Sequence, residues 1–171
     1  MEKKAQAWGF DLMIALVIFI GGLVFFYTYS LNYQQESQEK LDEMLFEGDF
    51  IAESILSEGF PDDWNENNVV KVGITNNNKV NETKLENLYN LANANANSLG
   101  YAKTKSLLNT RYEFFFNFTD EIIFGGVPIL EGGIGKNYAA QSYDNLIKIN
   151  RFTIYRDEPV TLSLYVWDDG L

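Results

Sequence analysis

The groups whose types and spacing could do chemistry are few. Asp62, Asp63 and Glu66 form one acidic cluster, and Asp168 with Asp169 a second. Paired carboxylates serve as general acid and base, or as oxygen ligands for calcium. Neither cluster has the ligand spacing of a calcium loop. Whether two acids could cleave a glycoside is set by their separation in space, which a sequence does not give. Both clusters read as solvated surface. The chain also has no histidine and no cysteine. That removes the commonest metal ligand and the commonest general base near neutral pH, along with thiolate chemistry and disulfides. No catalytic, cofactor-binding or metal-binding set is assigned, and an enzyme is not expected.

Two Asn-x-Ser/Thr triplets are candidate glycosylation sites, Asn81-Glu82-Thr83 and Asn117-Phe118-Thr119. Asn81 falls in a predicted loop and is the better placed of the two; Asn117 falls on the outward side of a predicted strand. Of the three tryptophans, Trp8 suits a membrane interface, while Trp64 and Trp167 read as core-rim residues, or else as exposed platforms for stacking a sugar. The chain carries 24 acidic and 13 basic residues, a net charge of −11. Phosphate backbones require the opposite sign, so no nucleic-acid partner is expected.

The elements that must position these residues begin with an apolar run. Leu12 to Tyr29 contains no charged residue, and at about 1.5 Å per residue it spans roughly 27 Å of bilayer core. It is longer than the apolar segment of a removable secretory signal and lacks a small-x-small cleavage site. Lys3 and Lys4 precede it and an acid-rich stretch follows, so the amino end is expected in the cytoplasm and everything after Asn32 outside. Gly21-Gly22, within the run, permits either a bend or the close approach of a neighbouring helix.

Helical periodicity continues past the run. Leu41, Met44, Leu45, Gly48, Ile51, Ala52, Ile55 and Leu56 recur at three- and four-residue spacing, with acids largely on the other face. Gly59 and Pro61 supply a stop, so one helix is expected over residues 6–58, with 12–29 as its membrane or assembly half. Residues 59–171 then read as a β-rich external domain. Strands are predicted at Val70–Ile74 and Tyr112–Phe118, short helices at Lys84–Leu91 and Ala102–Leu108, and irregular loops at 76–84 and 124–137. A hairpin is predicted over Leu146–Trp167, turning at Asp157-Glu158-Pro159. The fold class is α+β, a long amino-terminal helix packed on a small antiparallel sheet of about four strands.

Lys3-Lys4-Ala5-Gln6, set directly before such a helix, resembles the cleavage region of archaeal type IV pilins, the class III signal peptides cut on the cytoplasmic side by a prepilin peptidase. The resemblance covers the first sixty or so residues. It implies a signal segment of residues 1–5, a cut between Ala5 and Gln6, and an apolar helix retained on the mature chain. It implies residence in the cell membrane before assembly and in an extracellular surface filament afterwards, with adhesion or surface contact as the task. Homo-oligomerisation would run through the amino-terminal helix. In bacterial relatives a glutamate sits one position earlier than Asp11 does in the mature chain and pairs with a neighbouring amine. Asp11 would then pair with the amine of Gln6 on another copy, which would offset the cost of burying a carboxylate, or else face water at headgroup level. The alternative reading is a bilayer-anchored external binding module or secretion accessory protein.

Overall fold

The computed structural model describes residues 3–93, 98–119, 123–124, 127–128, 133–140 and 142–168. The Asn/Ala-rich stretch Ala94–Asn97, residues 125–126 and 129–132 of the expected loop at 124–137, and Asp169 lie outside the described residues. The chain divides into two compact units, Met1–Asp42 and Glu43–Leu171.

Helix α1 runs without interruption over Lys3–Ile55, so Gly21-Gly22 does not break it. In the first unit it carries the apolar stretch Gly9–Leu31, 23 residues of mean hydropathy 2.4 with none of its surface buried. By length and composition this one stretch suits a membrane anchor or a signal sequence. Within the uncharged part of the stretch, Thr28 Oγ1 lies 3.0 Å from the carbonyl oxygens of both Val24 and Phe25, so its hydroxyl is satisfied inside the helix.

The second unit is built on the remainder of α1. Met44, Gly48, Ile51, Ala52 and Ile55 are buried, the face their spacing predicts. Gly48 sits where the helix crosses the sheet: a Cβ there would lie 2.5 Å from Ile149 Cδ1 and 3.2 Å from Ile147 Cδ1. A small residue permits that approach.

The sheet has six strands in the order β1-β2-β7-β8-β3-β6. These are β1 (Thr75–Asn76), β2 (Lys79–Val80), β3 (Glu113–Phe118), β6 (Ile134–Gly135), β7 (Leu146–Tyr155) and β8 (Glu158–Trp167). A separate two-stranded ribbon joins β4 (Ile123–Phe124) to β5 (Val127–Pro128). Helices α2 (Glu82–Asn93) and α3 (Ser98–Leu107) lie between β2 and β3 in the chain. The architecture is α+β. The sheet is mixed, because β2 meets β7 in parallel at Lys79 and Ile154, and it holds two more strands than the sequence pattern suggests.

Alternation along the long strands decides which side chains enter the core. Phe114, Phe116 and Phe118 oppose Val166, Leu164 and Leu162, which oppose Ile147, Ile149 and Arg151. These rows face α1. Glu113, Phe115 and Asn117 share the other face with Tyr165, Ser163, Lys148 and Asn150. That far face is covered in part: Phe115 is buried, and the Tyr138 ring stacks on Tyr165 at 4.3 Å.

Three local expectations are corrected. Val70–Ile74 alternates like a strand, yet only Lys71 makes a ladder contact, an isolated bridge to Phe60. The segment is extended against the end of α1 instead. Ile74 N–H donates to Ile55 O at 2.8 Å and Thr75 N–H to Ser57 O at 3.0 Å, satisfying carbonyls that a helix end leaves open. The asparagine run read as loop holds the β1–β2 hairpin, because Asn77 (φ 49°) and Asn78 (φ 61°) take the left-handed turn that asparagine tolerates. The β7–β8 turn is likewise Arg156-Asp157, both with positive φ, which leaves Pro159 inside β8 opposite Ile154.

Candidate functional site

Ala5 and Gln6, the residues flanking the expected cut, lie in the first turns of α1. Asp11 follows on the same helix and is exposed, between Phe10 (61% exposed) and Leu12 (73%). Nothing lies within 4 Å of a Cβ built on Gly21 or Gly22, so space for a close neighbour is open at both. All of these positions lie on the one helix α1.

The sequons differ in setting. Asn81 is the N-cap of α2: its Oδ1 accepts from Lys84 N–H at 3.0 Å, and its carbonyl accepts from Leu85 N–H at 3.0 Å. The amide nitrogen, which would carry a glycan, is not used in this cap. Asn117 is half-buried in β3 opposite Ser163. Its Oδ1 is buried and has no hydrogen-bond partner among the described residues.

Trp64 and Trp167 are both fully buried, at 1% and 0% exposure. Neither offers a ring to a sugar. Trp64 Nε1 donates to Gly73 O at 2.8 Å, and the Trp167 ring meets Tyr138 edge-on at 6.5 Å. The Asp62 carboxylate is exposed, and Asp63 and Glu66 are exposed beside it. Among the described residues no three His, Cys, Asp or Glu side chains converge in a way that could hold a metal ion.

Two polar clusters had no signal in the sequence. Lys84 is 4% exposed. Its ammonium donates to Glu58 O at 2.7 Å, to Asp62 Oδ1 at 3.0 Å and to Asn76 Oδ1, so one cation ties the loop after α1, β1 and the start of α2. Glu82 does the same for the long hairpin. Its Oε1 accepts from Tyr155 OH at 2.7 Å and Arg156 Nε at 2.9 Å. These bonds hold the Glu82 carboxyl below the usual range, the Tyr155 contact contributing most. Burial, aided by the carboxylate beside it, pushes the Tyr155 hydroxyl up to about 12. Such contacts join elements distant in sequence, and only the three-dimensional structure shows them.

The outward side of α1 within the second unit is unexpectedly apolar. Phe46 (77% exposed), Phe50 (49%) and Leu45 (45%) stand clear of the core. Phe46 and Phe50 are one turn apart, so they form a short ridge. A groove of about 570 Å³ on one side runs past Asp49, Glu53, Leu56 and Arg151. A second of about 380 Å³ runs past Glu43, Glu47, Leu108 and Thr110. The sequence pattern counts Leu45 with the buried face, and the structure places it outside the core, while Phe46 and Phe50 fall on the face that the pattern leaves to solvent.

No protein-family model, curated protein or solved structure matches the chain. A helix with an apolar amino-terminal stretch, whose later half packs on a curled mixed sheet, is compatible with a pilin-like fold.

Proposed function

We propose that this chain is a structural subunit of a type IV pilin-like surface filament, serving adhesion or surface contact. A prepilin peptidase cuts it between Ala5 and Gln6, and it assembles through its amino-terminal helix. The observation that carries this reading is the character of α1. Apart from Asp11 near its start, Gly9–Leu31 is apolar on every side and exposed, while the same helix continues, with no proline or break, into a half that forms part of a folded core. A segment of 23 residues, about 35 Å at the helical rise, suits lipid before assembly. Copies of the same segment supply an equally apolar environment afterwards. The basic residues ahead of it and the Lys3-Lys4-Ala5-Gln6 motif support cytoplasmic processing.

The exposed Gly9–Leu31 stretch also favours a second reading, a body anchored permanently in the bilayer that binds a partner outside or assists secretion. The two separate in one preparation. Filaments sheared from cells and analysed by mass spectrometry are expected to contain the chain with Gln6 as its first residue. Recovery of the chain only from membranes, with residues 1–5 still attached, would reject the filament subunit in favour of the anchor.

A further inference from the structure

The second unit presents two apolar patches, and alternation puts them on opposite sides of its sheet. One is the Phe46–Phe50 ridge on α1. The helix lies against the face bearing Ile147, Ile149 and Val166, as the contacts around Gly48 show. The other patch is Phe152, 82% exposed, with Ile154, 39% exposed. Both are even-numbered positions of β7, so they project from the face that α1 does not cover. Phe152 and Phe46 are the two most exposed large apolar side chains in this unit.

The charges around the patches differ: the helix side is acidic, and the far face is not. The helix side carries Glu43, Glu47, Asp49 and Glu53 along the ridge and its grooves. Arg111 binds Glu43, and Arg151 binds Asp49 at 2.8 Å; no cation is in ion-pair range of Glu47 or Glu53 among the described residues. On the far face, the outward positions of β7 and β8 are Leu146, Lys148, Asn150, Phe152, Ile154, Pro159, Thr161, Ser163, Tyr165 and Trp167. That set holds one cation and no carboxylate; on the neighbouring strands Lys79, opposite Ile154, is paired with Asp157, and Glu113 of β3 is held by Lys105 and Lys136. Lys148 Nζ lies 5.2 Å above the Tyr165 ring.

We infer that the Phe46–Phe50 ridge of one copy seats on the Phe152–Ile154 patch of the next, with Lys148 facing the acidic rim. This deepens the filament reading and rests on it, because the occupant of each patch is a second copy of this chain. A two-fold dimer matches a patch to itself, so it would cover one patch, set acids against acids on the helix side, and leave the other patch in water. A head-to-tail contact covers both patches and pairs their charges. Repetition of such a contact gives an open row rather than a closed dimer. The external bodies therefore add their own polymer contact, separate from any made by the Gly9–Leu31 stretch.

The absence of native cysteine makes the test clean. Full-length chains carrying Phe46→Cys, Phe152→Cys or both are expressed in the native host and oxidised mildly in intact cell-surface preparations. Both positions are exposed, so the fold tolerates the changes. The double variant is expected to give a ladder of dimers, trimers and longer species. Its yield should exceed that of a control at another exposed position, Val70→Cys, by about tenfold or more, because a formed interface raises effective concentration. Adding Lys148→Glu should shorten the ladder. Dimers from Phe46→Cys alone would overturn the inference by showing ridge against ridge. Monomers throughout would overturn it as well. Images of the same preparations then show whether filaments persist, in which case only this contact fails, or are missing too, in which case the filament reading fails with it.

Discussion

Asn81 places two roles on one side chain: its Oδ1 caps α2, and its Nδ2 is the atom a glycan would take if the sequon were used. Asn81→Ala should lower stability by about 1 kcal/mol through loss of the cap. Asn81→Ser keeps a capping oxygen and should leave the melting temperature nearly unchanged. Both variants remove any glycan, so intact mass read beside thermal unfolding separates the roles. Glu82 makes a pH-dependent contribution. Its folded pKa is depressed, so its stabilisation is present above the ordinary carboxyl value near 4.3 and is lost as pH falls through the depressed value. Tyr155, raised to about 12, contributes fully below about pH 10 and loses its contribution as pH rises toward 12. Thermal unfolding of the native chain and of Glu82→Gln should therefore differ at pH 7 and converge in acid. A gap that stays constant down to pH 3 would contradict this assignment. The sequence shows both residues but not their meeting, because Glu82 and Tyr155 are 73 positions apart.

At the scale of elements, glycine settles two close approaches with different consequences. A Cβ on Gly73 would lie 2.3 Å from Gly59 N and 2.4 Å from Ser57 O, both backbone atoms that cannot swing aside. Gly73→Ala should cost about 1–3 kcal/mol or more, as overpacking does. At Gly48 the nearest atom is 2.5 Å away, but it is the terminal methyl of Ile149. That methyl can rotate, and alanine favours a helix by about 1 kcal/mol over glycine. Gly48→Ala should fall close to neutral in chemical denaturation, and equal losses at the two sites would contradict the packing described. Long periodic elements were legible beforehand. The apolar run, the buried face of α1, the aromatic alternation of β3 and the β7–β8 hairpin follow from period and turn chemistry. The short strands were not, since β1, β2 and β6 have two residues each, too few to show alternation. Val70–Ile74 alternates in sequence but not in burial: Val70 is exposed, while Val72, Gly73 and Ile74 are all buried against the end of α1. The Phe46–Phe50 ridge also went unread, as it lies on the face that an amphipathic pattern assigns to solvent.

For the whole molecule, the central claim is that the Gly9–Leu31 stretch leaves lipid and is buried against copies of itself. Asp11 sits at its edge, and on this account its carboxylate meets the amine of Gln6 on another copy. Asp11→Asn should then reduce the amount of filament on cells severalfold while leaving the amount of chain inserted in the membrane unchanged; quantitative blots of sheared and membrane fractions measure both. Equal filament yield would remove the pairing without touching the helix claim. That claim is tested most directly by cryo-electron microscopy of filaments sheared from cells that make this chain. The expected density shows residues 9–31 of each copy packed in a central bundle against the same residues of its neighbours. Filaments built of another protein, with this chain found only as single copies surrounded by lipid, would contradict it.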